Sequence, residues 1–347
     1  MNYRRITDKI PHNAFLKKAL KEIKFLKKSL LYRKFLDLLV KQRIRGYERC
    51  PDIVLIENTN HCNAKCVMCP HSGKFDRAKG IMNFELFKKI INEMAALNIQ
   101  RLQITGTGEP MLDNDLSGKI THAKQKRIEE VNIFANGSLL TKELGNKIID
   151  SGLDLITFSF DGIERDEFEK IRVGLKYDEV TQNILNFLKL KRKKKRVKPF
   201  TIINSLVMKK KHAYFKLPLI KEIKSLTDRW NLYQFAEETH LWGGEVDISS
   251  SDNPQTNNIN TPCRRLWTAF NILWDGKVVP CCMDYEGRYN LKNIAQESLL
   301  DIWLSSRYEK FRQIHLEKRI FELEMCRKCS ERLSWLPEKC GRMMDSI

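Results

Sequence analysis

The spacing of apolar positions changes character along this chain. Leu16, Leu20, Ile23, Leu26, Leu30, Phe35, Leu38 and Leu39 recur three to four residues apart, with lysines between them. That period predicts a basic amphipathic helix over 13–45, ended by Gly46 and Pro51. From Pro51 to about Glu238 short apolar runs alternate with longer helical patterns. The runs are Ile53–Glu57, Leu102–Thr105, Val131–Ala135, Leu155–Phe160, Thr201–Val207 and Trp230–Ala236. Between them lie helical patterns at Asn83–Leu97, Asp113–Arg127, Thr141–Ser151, Tyr177–Lys195 and Ala213–Thr227. Strand-then-helix units with mostly apolar strands predict a parallel sheet, open and doubly wound or curved like a barrel. Such sheets place their sites in the loops after the strands.

Residues 249–262 are polar and turn-rich and read as a linker. A smaller cysteine-bearing region, 263–347, follows. Within it Asp275-Gly276 separates two apolar runs and predicts a hairpin with a type I′ turn.

Composition narrows the class. The chain has 347 residues, 42% apolar and 30% charged, enough for a core and long enough for about two domains. It has no apolar run of spanning length and no secretory h-region. Ten cysteines in such a chain are too sparse for a disulfide scaffold. The expected compartment is the reducing cytoplasm, where clustered cysteines bind metal or do chemistry.

The net charge of +19 invites a nucleic-acid reading, but it is unevenly placed. Residues 1–49 hold fifteen Lys and Arg against four Asp and Glu. Lys189–Lys198 holds eight basic residues in ten, at a helix end where the macrodipole favours cations. Aromatic stacking motifs and zinc-finger spacing are missing, which argues against nucleic acid. The N-terminal helix can pack on its own protein, the commoner case, or lie on an anionic membrane.

Two cysteine sets carry the chemistry. Cys62, Cys66 and Cys69 form C-x3-C-x2-C just after the first strand, with no fourth ligand nearby. Three thiolates on a four-iron cube leave one iron open; zinc is the alternative on spacing alone. The second set is Cys263, then C-x12-G-x4-C to Cys281, and finally Cys326 and Cys329 as C-x2-C. Four thiolates there fit zinc or an iron–sulfur cluster. Cys282, if in a strand beside Cys281, points away from it; Cys282 and Cys340 read as non-ligands, and Cys50 as a small buried residue.

Further motifs resolve this. Cys62-Asn63 opens the first set and Pro70 follows it. Gly106-Thr107-Gly108-Glu109-Pro110 follows strand two, Asn136-Gly137 strand three, and Ser159-Phe160-Asp161-Gly162 ends strand four, with Arg172 beyond. In this order they resemble the radical S-adenosylmethionine (SAM) superfamily over about residues 51–240. The resemblance implies an α/β fold: a partial (β/α)6 TIM-like barrel with a small C-terminal auxiliary-cluster domain and the N-terminal basic helical extension. The expected division is 1–50, 51–248, the linker 249–262, and 263–347. It implies a [4Fe-4S] cluster on Cys62, Cys66 and Cys69 that binds SAM. Gly106, Gly108, Glu109, Asn136, Ser159 and Arg172 would contact SAM: Glu109 its ammonium, the strand-four polar group and Arg172 its carboxylate. Met68 stands where many members have an aromatic residue over the adenine. Reductive cleavage would yield a 5′-deoxyadenosyl radical, with electrons from a donor such as flavodoxin or ferredoxin.

The C-terminal pattern, with Asn290–Ile294 and Asp301-Ile302-Trp303, resembles SPASM and twitch auxiliary-cluster regions. Position 335 is Trp and only Cys340 remains downstream, so the count fits one auxiliary [4Fe-4S] cluster on Cys263, Cys281, Cys326 and Cys329. The pattern is similar to 2-deoxy-scyllo-inosamine dehydrogenase-type twitch enzymes. This implies an oxidoreductase for a small polar substrate such as a sugar, cyclitol or nucleotide-linked sugar, the auxiliary cluster taking the second electron. Glu237, Glu238 and His240, after the sixth strand, are candidates for substrate contact or base. Alternatives are a peptide or protein maturase, an epimerase using Cys282 or Cys340 as hydrogen donor, and, remotely, a zinc protein bound to nucleic acid.

Overall fold

The structure is a computed structural model of the chain. It describes residues 49–73, 75–207, 217–234, 262–327 and 329, with scattered positions between 38 and 47. The chain forms two compact units, Met1–Gly46 and Tyr47–Ile347. In the first unit the few described residues are helical, as the 13–45 period predicts; the rest of that helix lies outside the described residues.

The second unit is built on one sheet. Its strands are β1 (Ile53–Ile56), β2 (Arg101–Ile104), β3 (Glu130–Ala135), β4 (Leu155–Ser159), β5 (Phe200–Val207), β6 (Arg229–Gln234), β7 (Ala269–Ile272), β8 (Lys277–Val279) and β9 (Lys292–Asn293). They lie in the order β6-β5-β4-β3-β2-β1-β7-β8-β9. All pairs from β6 to β7 are parallel; the β7–β8 and β8–β9 pairs are antiparallel. β1 pairs with β7 rather than with β6, so the barrel stays open.

The helices that follow the strands are α1 (Phe84–Ala96), α2 (Leu116–Gln125), α3 (Lys142–Asp150), α4 (Arg165–Ile171), α5 (Tyr177–Lys193) and α6 (Pro218–Leu226). Two of them start on side-chain caps. Asn83 caps α1, its side-chain oxygen accepting from the Glu85 amide at 2.7 Å, and Phe87, Ile90, Ile91 and Met94 form the buried stripe. Thr141 caps α3 in the same way through Leu144. α4 has no counterpart among the expected elements. Seven residues hold few repeats of a helical period, and the segment is anchored by burial of Phe168 and Ile171.

The C-terminal region adds α7 (Arg265–Thr268), α8 (Leu299–Trp303), α9 (Ser306–Leu316) and α10 (Glu324–Arg327). Sequence suggested a separate body beyond a linker. The linker lies almost wholly outside the described residues, but β7 hydrogen-bonds along the whole of β1, from Ile53↔Ala269 to Ile56↔Ile272. The region therefore extends the barrel sheet. Its hairpin also differs from expectation. Asp275 is not left-handed and only Gly276 is, at φ +83°, with the Gly276 amide bonded to Leu273 O at 2.9 Å. A type I′ turn needs two left-handed residues, so this is a longer loop closed by one glycine.

The basic block at the end of α5 is paired with acids: Lys189 with Glu222, Lys191 with Asp228, Lys194 with Asp150 and Lys198 with Asp154. It lies at the rim opposite the strand ends that carry the motifs.

Candidate active site

The C-terminal ends of the strands converge on a cavity of about 600 Å³. Cys62, Cys66 and Cys69 line it from the loop after β1, together with Met68. That loop is held on both flanks. On one side the Lys65 and Val67 amides donate to Val173 O and Ile171 O at 2.8 and 3.0 Å. On the other, Asn60 Nδ2 donates to Ala78 O at 2.8 Å, and its Oδ1 accepts from the Gly80 amide at 2.8 Å. Burial pushes the Cys62 thiol up to about 11 and the Cys69 thiol up to about 12. Thiolates here need a cationic partner, and three of them facing one cavity suit a metal cluster with one open position. Arg172 Nη1 sits 3.4 Å from Cys66 Sγ, and its other terminal nitrogen pairs with Asp161.

Gly106, Gly108, Glu109, Asn136, Ser159 and Arg172 all line the same cavity. Their partners refine the expected roles. A Cβ at Gly108 would lie 2.3 Å from Thr59 O and 2.7 Å from His61 O, so glycine is required by the backbone of the cysteine loop itself. Glu109 is buried, which raises its carboxyl to about 7 against the backbone hydrogen bonds that oppose the shift. Those bonds come from the Asn136 amide at 2.7 Å and the Met111 amide at 3.2 Å. The Asn136 side chain bonds protein rather than the open cavity: it donates to Asn63 Oδ1 at 2.9 Å and accepts from the Ser138 amide at 2.9 Å. It therefore ties the β3 loop to the cysteine loop.

Glu57, at the end of β1, was not anticipated. It lines the cavity, pairs with Arg77 at 2.7 Å, accepts from Thr107 Oγ1 at 2.9 Å and from the Trp274 amide at 3.3 Å. A carboxylate closing an apolar strand was the available signal; Arg77 lies in a loop without periodicity. Asn271 on β7 was also missed. It is 4% exposed, lines the cavity, and its Oδ1 has no hydrogen-bond partner among the described residues. Glu237, Glu238, His240 and Cys340 lie outside the described residues.

Cys263, Cys281, Cys326 and Cys329 line a second, smaller void, with His315, Met325 and Leu266. All four are free thiols, three of them buried. Four thiols lining one void without a disulfide are the residue types a tetrathiolate cluster needs. Cys281 and Cys282 follow β8 and lie outside any strand, so strand alternation does not separate them. The neighbouring Cys282 thiol, followed by burial, raises the Cys281 thiol well above its ordinary range. Cys282 lines the larger cavity, 3.4 Å from Arg265 Nη1. Arg265 and Met283 line both spaces and form the wall between them.

Comparison with known proteins agrees with this geometry. Residues 56–211 match the radical SAM superfamily, and residues 263–330 match SPASM, an iron–sulfur cluster-binding domain. A probable GTP 3′,8-cyclase of Methanococcus maripaludis (strain S2) is 31% identical over 126 residues, 36% of this chain and 42% of that protein. The chain thus spans less than half the length of that relative. A tungsten-containing aldehyde ferredoxin oxidoreductase cofactor-modifying protein of Pyrococcus furiosus is 26% identical over 314 residues, 80% of this chain and 86% of that protein. Among solved structures, BtrN in complex with AdoMet and 2-DOIA superposes with a TM-score of 0.57 at 17% identity, covering 81% of this chain and 93% of that one. SuiB of Streptococcus suis bound to precursor peptide SuiA gives 0.61 at 16%, covering 90% and 74%. At these identities the structural likeness is one of fold. Residues 56–211 are thus a radical SAM domain and residues 263–330 a SPASM iron–sulfur domain, and the cofactors these domains take are a [4Fe-4S] cluster, SAM and auxiliary iron–sulfur chemistry.

Proposed function

We propose that the protein is a radical SAM oxidoreductase that oxidises a small polar substrate beside its auxiliary cluster. The observation that carries this reading is the shared wall: Arg265 and Met283 line both the Cys62–Cys66–Cys69 cavity and the four-cysteine void. A substrate in the first space therefore lies one layer of side chains from the second. When bound, the three-thiolate cluster with SAM supplies a hydrogen-abstracting radical, and the four-thiolate cluster supplies an electron acceptor with no open iron.

The residues divide the work. Cys62, Cys66 and Cys69 hold the first cluster; Cys263, Cys281, Cys326 and Cys329 hold one auxiliary [4Fe-4S] cluster. Glu109 accepts from the SAM amino group, and Arg172 with Ser159 faces its carboxylate. Gly108 and Asn136 act by fixing the loops. Gln103, Asn204 and Asn271 line the part of the cavity left for substrate. A buried amide without a partner favours a ligand that brings its own hydroxyl or amino groups, as a sugar or cyclitol does. Residues 51–248 and 263–347 would be the two functional parts, with an external donor such as flavodoxin or ferredoxin supplying the first electron in the cytoplasm. Glu237 or His240 remains our candidate for the base.

A second reading follows from the Pyrococcus furiosus protein, whose match spans both parts of this chain: modification of a cofactor or of a partner protein. Turnover in heavy water tests the leading reading. One SAM consumed per product, a product two hydrogen atoms lighter, and no solvent deuterium on carbon support it. Deuterium on an unoxidised carbon, lost in Cys282→Ala, would replace it with epimerisation.

A further inference from the structure

His315, near the end of α9, sits inside the four-cysteine void. It is 2% exposed, and its two ring nitrogens reach two different cysteines. The backbone N–H of Cys263 donates to Nδ1 at 3.2 Å. Nε2 lies 3.5 Å from Cys326 Sγ.

The first contact decides the second. A nitrogen that accepts a hydrogen bond must offer a lone pair, so Nδ1 carries no proton. A neutral imidazole with a bare Nδ1 carries its proton on Nε2. The N–H at Nε2 therefore faces Cys326 Sγ and donates to it. The Cys263 amide thus sets the tautomer, and α9 sets the aim.

We infer that His315 is a positioning residue of the auxiliary cluster, donating an N–H···S hydrogen bond to the Cys326 thiolate that raises the cluster's reduction potential. Hydrogen bonds to ligand sulfurs stabilise the more negative, reduced state in a buried site where little water competes. A raised potential makes the cluster a better acceptor for an electron leaving the substrate. The inference rests on the assignment of the four cysteines to the auxiliary cluster, and the experiment separates the two.

The test uses the full chain with Cys62, Cys66 and Cys69 replaced by Ala, reconstituted so that only the auxiliary cluster is present. Iron and acid-labile sulfide are measured first. An iron-free protein overturns the cluster assignment and this inference with it. On the loaded protein, labelling with [15N]histidine should give a weak 15N coupling to the reduced cluster in pulsed electron paramagnetic resonance. A loaded cluster without that coupling overturns this inference alone.

Variants give a second, independent readout. His315→Asn keeps an acceptor for the Cys263 amide and removes the donor to sulfur, so the auxiliary midpoint potential should fall. His315→Gln places an amide N–H near the Nε2 position and should recover much of the shift. Equal potentials in wild type and His315→Asn at equal iron content would overturn the proposal.

Discussion

Glu57 and Arg77 form a two-pronged ion pair at the base of the cavity, 2.7 Å at each prong, with side chains only 3% and 5% exposed. One carboxylate thereby joins the end of β1 to the glycine loop through Thr107 and to the β7–β8 hairpin through Trp274. Removing one partner leaves the other charge buried alone. Arg77→Met should lower unfolding stability by about 3–5 kcal/mol, while Glu57→Gln with Arg77→Met should recover a large part of it. Denaturant titration of Arg77→Met, Glu57→Gln and the double variant checks the cycle, and additive losses would contradict the coupling.

The three-thiolate assignment predicts a split between the two clusters. Replacing Cys62, Cys66 and Cys69 together by Ala should abolish 5′-deoxyadenosine formation and leave the auxiliary iron in place. Replacing Cys326 and Cys329 by Ala should spare SAM cleavage and stop formation of oxidised product. Iron analysis and product mass decide both, and 5′-deoxyadenosine from the triple variant would contradict the assignment.

Glu109 carries a pH prediction. Burial raises its carboxyl from 4.5 to about 7, so the folded protein holds a proton there that the unfolded chain has already released. This group's contribution to stability therefore falls as pH rises from 4.5 to about 7. Acceptance from the SAM amino group needs the ionised form. SAM affinity should weaken as pH drops below about 7 and binding should release a proton, and Glu109→Gln should flatten that dependence. At neutral pH Glu109→Ala should cost roughly tenfold or more in affinity, from ~1.5–3 kcal/mol for a hydrogen bond to a charged group. Calorimetry in buffers of differing ionisation heat reads both effects.

Gly108→Ala tests whether the glycine motif serves the protein's own backbone. The added Cβ would meet Thr59 O at 2.3 Å, and backbone cannot yield as a flexible side chain can. The variant should lose about 1–3 kcal/mol of stability and most of its SAM cleavage. Gly118→Ala is the control, because its Cβ would only approach the Phe84 ring edge at 3.3 Å. Equal melting temperatures for the two variants would refute the requirement.

The parallel strands and most of their helices were legible because burial imposes a period that the sequence must repeat. Val54 and Ile56 are apolar since both are buried in the core shared with the α1 stripe, and Asn83 announces α1 because its side chain caps locally. The cysteine triplet and the Gly106–Pro110 turn were legible for a related reason: their chemistry is confined to one loop, so spacing records it. Contacts made across the fold leave no such record. Nothing near Ile272 announces that β7 will lie beside β1, because pairing partners are chosen by the whole sheet. Arg77 reads as a loop cation until Glu57 is seen beneath it, and His315 as a helix residue until the Cys263 amide meets its ring. The sequence by itself determined the parallel strands, most of the helices, and which cysteines stand together in one loop. Only the tertiary structure decided which buried polar groups meet, since each such pair depends on loops and strands brought together from distant parts of the chain.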